Sequence, residues 1–375
     1  MCRRFAVYSL LLLGSTSFAN GFEFSVEYTA DILRVVSGGL STGTEYLDNL
    51  DVALEIDLAE AWGAGAGTIL VHGLYNNRSA FSADRVGDLQ VVSNIDADEA
   101  WRLFQLWYEL AEANWSIRAG LYDLNSEFDV NEAGSIFLNS SHGIGAEIAQ
   151  TGENGPGIFP VSSLALRGAM TIGPLTARAA VLDGVPGNSA DPTSNRIELV
   201  SKEGALAVSE IDLAYANSAR LWFGYWRYSA EFDRIDGIGS GGGHDGWYAG
   251  TEAGFQLGSR AATGFIRYGR ADERFNVLSR YLGVGAVIVG PLAMRPADRL
   301  GIAVAAARAG DPYRDHAAGM AERADRRETT WELTYRLRIN EHLAIQPDIQ
   351  YVRNPSLSPG LEDAWVVGCR IQLGN

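Results

Sequence analysis

The sequence predicts an all-β fold: a transmembrane outer-membrane β-barrel of 16 antiparallel strands that follows a cleaved signal peptide. Three observations carry this. Apolar and polar residues alternate with a period of two in segment after segment, as in a strand with two unlike faces. Hydrophobic residues make up 47% of the 375, yet mean hydropathy is −0.04, as expected where lipid-facing and lumen-facing positions alternate. Past the N-terminus, the longest uncharged apolar run, Tyr281 to Met294, holds three glycines and a proline. It is a poor helix and shorter than the roughly 18–20 residues a spanning helix needs.

The elements follow in chain order. Arg3 and Arg4 form a basic start, Phe5 to Leu13 a short apolar stretch, and Ser17-Phe18-Ala19 a small-x-small cleavage site. Residues 1–19 therefore read as a signal peptide and 20–375 as one barrel domain. Cleavage removes two arginines and no acid from a chain of formal charge −16, so the remainder is more acidic still. It also removes Cys2, and Cys369 alone cannot form an intrachain disulfide.

The first strand sets Phe22, Phe24, Val26, Tyr28, Ala30 and Ile32 against Glu23, Ser25, Glu27, Thr29 and Asp31. The second sets Leu50, Val52, Leu54, Ile56 and Leu58 against Asp51, Ala53, Glu55 and Asp57. Weaker alternation places strands near Thr68–Tyr75, Trp101–Leu110, Trp115–Tyr122, Leu164–Ile172, Leu175–Leu182, Leu206–Tyr215 and Ala219–Tyr228. More lie near Tyr248–Leu257, Ala262–Arg270, Tyr281–Val289 and Leu300–Ala307. The last three alternate through Trp331–Arg338, Leu343–Tyr351 and Trp365–Leu373. The total of sixteen is even, as a single-chain bacterial barrel requires for its ends to meet antiparallel.

A soluble sandwich would bury its apolar faces in a shared core. Charges in mid-strand, such as Glu23, Glu55, Arg336 and Asp348, fit a lumen better. Aromatics near strand ends, such as Phe22, Tyr108, Tyr228 and Trp331, fit interfacial girdles. The long connection around 123–163, rich in Gly, Asn, Ser and acids, reads as a constriction loop folded into the bore.

Many segments resemble the carbohydrate-selective porin family (OprB type). They include Tyr46-Leu47-Asp48-Asn49-Leu50-Asp51, Gly73-Leu74-Tyr75-Asn76 and Leu106-Trp107-Tyr108-Glu109. They continue with Gly120-Leu121-Tyr122-Asp123-Leu124-Asn125-Ser126-Glu127-Phe128 and Phe137-Leu138-Asn139-Ser140-Ser141-His142-Gly143. Then come Val181-Leu182-Asp183-Gly184-Val185-Pro186-Gly187, Gly224-Tyr225-Trp226-Arg227-Tyr228 and Gln346-Pro347-Asp348-Ile349-Gln350-Tyr351-Val352-Arg353-Asn354-Pro355. The resemblance implies a sixteen-stranded barrel in a Gram-negative outer membrane that passes sugars by facilitated diffusion, without catalysis. The chain departs from the common pattern in ending Ile371-Gln372-Leu373-Gly374-Asn375 rather than on an aromatic strand residue.

A sugar channel needs aromatic faces for the pyranose C–H surface and polar groups for its hydroxyls, with binding weak enough to permit exit. Alternation nominates Gln105, Trp107 and Glu109 on one strand, Arg118 and Tyr122 on the next, and Arg220, Trp226 and Tyr228 further on. Glu127 and Asp129, with Asn139 and His142, lie on the long loop, and Arg336 and Asp348 on late strands. Arg227 falls on the lipid side, so either it sits near the interface or the register slips there.

Other chemistry is disfavoured. There is no basic excess for nucleic acid. The five histidines form no metal pair at i, i+4, and no cofactor is implied. Glu127 and Asp129 as a glycosidase pair, or Ser141 beside His142 as nucleophile and base, lack support beyond adjacency. The partners implied are small sugars and outer-membrane lipid. Self-association into a homo-oligomer stays open. Two alternatives also stay open: a plugged barrel with a structural or surface-binding role, and a secreted soluble β-protein.

Overall fold

The computed structural model describes residues 16–374 except 19, 64, 78, 189–190, 192–196, 198–201, 217–218 and 321. Most of the signal-peptide reading lies outside these residues; Thr16–Phe18 forms a short strand paired with Phe22–Phe24.

Sixteen strands build the barrel. They are β1 (Phe22–Ser37), β2 (Gly43–Asp57), β3 (Thr68–Asn76), β4 (Ala100–Ala111), β5 (Trp115–Tyr122), β6 (Ser163–Ile172), β7 (Leu175–Asp183) and β8 (Ala205–Ala216). There follow β9 (Ala219–Tyr228), β10 (Asp245–Leu257), β11 (Arg260–Ala271), β12 (Leu278–Val289), β13 (Arg299–Ala309), β14 (Arg327–Arg338), β15 (Leu343–Arg353) and β16 (Ala364–Gly374). Each pairs antiparallel with the next, and β16 pairs with β1 through Arg370↔Asp31 and Ile371↔Ala30. The sheet thus closes and leaves no edge strand unpaired.

The alternation sorts residues as the sequence predicts. Along β13, Leu300, Ile302, Val304 and Ala306 point out, while Gly301, Ala303, Ala305 and Ala307 point in and are buried. Along β9, Leu221, Phe223 and Tyr225 point out, and Arg220, Trp222, Trp226 and Tyr228 point in. Several strands run longer than the alternation. β1 and β2 continue upward as a hairpin through Ile32↔Tyr46 and Arg34↔Thr44. Between β3 and β4, His72 faces Gln105 but the next residue of β3, Gly73, faces Leu103, so Phe104 is an extra residue on β4. This bulge turns both Phe104 and Gln105 inward.

The turns at one end are short, as at 112–114, 173–174 and 258–259, and β1 begins and β16 ends there. The other end carries the connections 77–99, 123–162, 184–204, 229–244 and 310–326. Bacterial barrels place short turns on the periplasmic side and long loops outside. Arg227 is the penultimate residue of β9, opposite Asp245 at the start of β10. It sits at the outer rim, so the register does not slip. Tyr228 corrects the girdle assignment: it faces inward and is 1% exposed, because the alternation after Tyr225 turns it toward the loop. Tyr108 and Trp331 do face outward.

Lipid exposure gives a direct test. Ile302 is 60% exposed on the outer wall. Ile302→Arg is expected to cost about 2–4 kcal/mol near the bilayer midplane. Urea titration of folding into lipid vesicles measures this, and an unchanged midpoint would show that this wall does not meet lipid.

The bore is not a purely polar tube. Among the described residues, four apolar clusters sit inside it. One packs Trp107, Tyr122, Phe128, Ile148, Trp226 and Tyr248 beneath the 123–162 loop. Another packs Leu33, Leu47, Phe81, Val92, Leu138 and Val366 beneath the 77–99 connection. A second inward loop therefore joins the one read from sequence.

Candidate functional site

The 123–162 loop starts with Asp123, whose side chain accepts from the Asn125 N–H at 3.0 Å and caps a tight turn at Leu124–Ser126. Asp129 then adopts φ +55°, a left-handed conformation that aspartate tolerates better than most residues. The turn aims its N–H at Glu210 (2.7 Å) and its carboxylate at Arg267. Gly145 N–H also donates to Asp129, at 3.1 Å, closing the loop on itself.

Facing the loop is a ladder of arginines on the inner wall: Arg118 on β5, Arg167 on β6, Arg178 on β7, Arg220 on β9 and Arg267 on β11. Arg118 and Arg167 are directly opposite across the ladder, an arrangement that repels unless carboxylates intervene. Two do. Glu109 reaches both guanidinium groups at 2.9 Å. Glu127 lies 3.3 Å from Arg118 and 2.6 Å from Arg167, and accepts from the Tyr122 hydroxyl at 2.6 Å. Arg178 donates to Glu210 at 2.5 Å, and Arg220 to Asp212 at 2.6 Å and to the Val130 carbonyl at 2.9 Å. Arg220 also lies 3.5 Å from Glu252. Arg267 bridges Asp129 (2.5 Å) and Glu147 (2.6 Å).

The opposite wall holds the loops by their backbone. Glu332 accepts from the N–H groups of Leu138 (2.6 Å) and Asn139 (3.1 Å), and Gln346 donates to the Ile136 carbonyl at 2.6 Å. Glu328 accepts from the N–H groups of Leu89 and Gln90, and Gln350 donates to the Val92 carbonyl. The two loops also bond to each other, Ser140 N–H to Val91 and Asn94 N–H to Leu138. The bore is thus braced across its width.

Gln105, Trp107, Glu109, Arg118, Tyr122 and Glu127 come together in one cluster, with Asp129 and Arg220 beside it. Trp107 is not an open stacking platform: the Arg118 guanidinium lies 3.8 Å over its ring. Trp226 is 0% exposed, edge-on to His244 and Tyr228, and Tyr228 stacks on His244 at 5.1 Å. The expectation that these two rings face the lumen as sugar contacts is therefore corrected to a packing position, because the 229–244 connection and the constriction loop cover them. Arg336 and Asp348 belong to the far wall, where Arg336 donates to Gln372 at 3.0 Å and Asp348 accepts from Gln350 at 3.1 Å. They do not join the ladder. His142 is buried against Phe137 and Phe265, and burial pushes it down to about 3, so its ring is neutral.

Arg167, Arg178, Arg267, Glu210, Asp212, Glu252 and Glu332 escaped the sequence reading. Their signal was a single charge at an inward parity position, as in Ala165-Leu166-Arg167-Gly168-Ala169. The 77–99 loop carried one too: Phe81, Val86, Leu89, Val92 and Ile95 are more apolar than a solvated loop requires.

Lipid outside and a loop-narrowed, ionised bore inside define a class of protein, the outer-membrane porin. Residues 41–374 match the family described as carbohydrate-selective porin, OprB family, and the chain belongs to it. It is an outer-membrane channel for carbohydrate of the Gram-negative type. Porin B of Pseudomonas aeruginosa is 22% identical over 397 residues, spanning 94% of this chain and 87% of that protein. The high-pH structure of Pseudomonas putida OprB superposes with a TM-score of 0.84 at 20% identity, covering 95% of this chain and 94% of that one. Its low-pH structure gives 0.62 at 16% identity, covering 95% and 93%. A Rh. blastica porin mutant gives 0.59 at 9% identity, covering 94% and 100%.

Proposed function

We propose that small sugars cross by facilitated diffusion and bind weakly at the braced section of the bore, after residues 1–19 have served as a cleaved export signal. The observation that supports this is the arginine–carboxylate ladder. Its members cross-link one another, so their donors and acceptors are held in place before a sugar arrives. Glu109 and Arg220 keep 15% and 17% of their side chains exposed, and Arg118, Glu127 and Asp129 back them. Such edges can exchange hydrogen bonds with sugar hydroxyls that lose water. Trp107 and Tyr122 hold Arg118 and Glu127 from behind, while Trp226 and Tyr228 pack with His244 beneath the loops. Gln105 donates to His72 and accepts from Trp107, extending the same lattice. On the far wall, Arg336 and Asp348 lend charge without direct contact. Passage makes and breaks no covalent bond.

Liposome swelling tests this. Vesicles carrying the protein should swell faster in a neutral monosaccharide than in a zwitterionic amino acid of similar size. Equal rates would remove the sugar preference.

The filled interior favours a second reading, a plugged barrel that binds without conducting. Four apolar clusters and two cross-bonded loops occupy the bore. Single-channel recording separates the readings: steps support the channel, and their absence from folded protein supports the plug.

A further inference from the structure

The outer surface carries a second array of arginines. At the external ends of neighbouring strands, Arg270 on β11 lies opposite Arg280 on β12, Arg280 opposite Arg308 on β13, and Arg308 opposite Arg327 on β14. Arg353 ends β15, opposite Thr329. By parity these side chains point away from the lumen, since their neighbours Gly269, Tyr281, Ala307, Glu328 and Val352 are the buried, inward ones.

Three arginine pairs in register are unfavourable without counter-charge. Inside the bore, the same Arg–Arg opposition at Arg118 and Arg167 is neutralised by Glu109 and Glu127. Nearby, Arg274 and Arg314 have carboxylates of their own, Asp272 at 2.5 Å and Asp311 at 3.6 Å. Among the described residues, no carboxylate comes within ion-pair distance of the five rim arginines. Arg308, Arg326, Arg327 and Arg353 line a recess of about 410 Å³ with Asp325 as its one acid.

The row also has a defined depth. Just below it on the same outer face runs an aromatic band. Tyr268 is two residues below Arg270, and Tyr351 two below Arg353. Trp331, Tyr351 and Trp365 follow one another at ring separations of 5.5 and 4.7 Å, and Trp247 meets Tyr268 at 5.6 Å. Such bands mark the headgroup interface. Two residues up a strand is about 7 Å, which sets the guanidinium groups at the level of lipid phosphates. Five adjacent strands span about 19 Å, enough for two phosphates of one headgroup, and the planar guanidinium suits bidentate contact with each.

We propose that the external rim from β11 to β15 binds the phosphates of a multiply phosphorylated outer-leaflet lipid. The aromatic band below contacts its apolar portion, and the phosphates supply the missing counter-charge. This is independent of what passes through the bore.

The test is native mass spectrometry of the full chain in detergent, titrated with bisphosphorylated lipid A, with phosphatidylethanolamine, and with inorganic pyrophosphate. Retention of lipid A at about tenfold lower concentration than phosphatidylethanolamine is expected, and about tenfold weaker retention in Arg308→Ser/Arg327→Ser. Arg274→Ser, off the row, should bind as the unaltered protein does. Should the double variant fold poorly, Arg353→Ser alone is expected to weaken lipid A in the same direction. Equal retention of the two lipids, or double or single variants that bind normally, would overturn the proposal. So would pyrophosphate binding as tightly as lipid A, which would report a bare anion site.

Discussion

Replacing Arg267 by alanine is expected to loosen the constriction loop and to cost about 3–5 kcal/mol, because it strands two buried carboxylates. Asp129 and Glu147 both face this one guanidinium, at 2.5 and 2.6 Å, and all three groups are nearly inaccessible. Among the described residues, Arg267 is the one cation within ion-pair distance of either acid. The site is closely shaped: a Cβ on Gly145 would lie 2.0 Å from an Arg267 nitrogen, and one on Gly269 would lie 1.8 Å from a Glu147 oxygen. Arg267→Lys keeps the charge but loses the fork that spans both acids, and should fall between the two. Two readings check this. Heat or urea unfolding in detergent, followed by tryptophan fluorescence, should shift to a lower midpoint. Single-channel records should show larger, noisier steps. If both stay unchanged in Arg267→Ala, the loop is held by other contacts.

Glu127→Gln is expected to shift ion preference toward anions and to cost at least about 2 kcal/mol in stability. Glu127 accepts from Arg118, from two nitrogens of Arg167 and from Tyr122. The amide keeps the shape and loses the charge, so two opposed arginines are left sharing Glu109. The bore gains positive potential where it is braced. Reversal potential across a potassium chloride gradient measures this directly. A reversal potential equal to that of the unaltered protein would mean that ions pass elsewhere than along the ladder.

The wall of this barrel was legible because its two faces meet unlike solvents. β5 and β9 begin and end where the alternation does, and Arg118 and Arg220 take the predicted side. β4 shows how the pattern survives a defect: the bulge at Phe104 changes parity, but Trp107 and Glu109 beyond it keep the inward face. What the interior does with those residues was less legible. A period-two pattern says that Trp226 points inward, not that Gly246 and His244 close over it. The 77–99 loop was missed for a related reason. Its apolar residues follow no period, since they pack on a curved inner wall rather than on one face of a regular element. Pairings such as Asp129 with Arg267 join residues 138 apart, and no local spacing encodes them.

The brace across the bore also fixes an order of events. Leu138 and Asn139 are held by Glu332, almost two hundred residues further on, and Leu89 by Glu328, 239 residues away. Asn94 waits for Arg370 on the final strand. Neither loop can seat until the last strands have arrived, so contacts of such long range form late. During assembly the passage is wide first and narrow afterward. A stalled barrel is therefore a leaky one, and the final narrowing coincides with completion of the wall. The same hydrogen bonds that shape what crosses the finished channel thus bring permeability under control only once every strand is present.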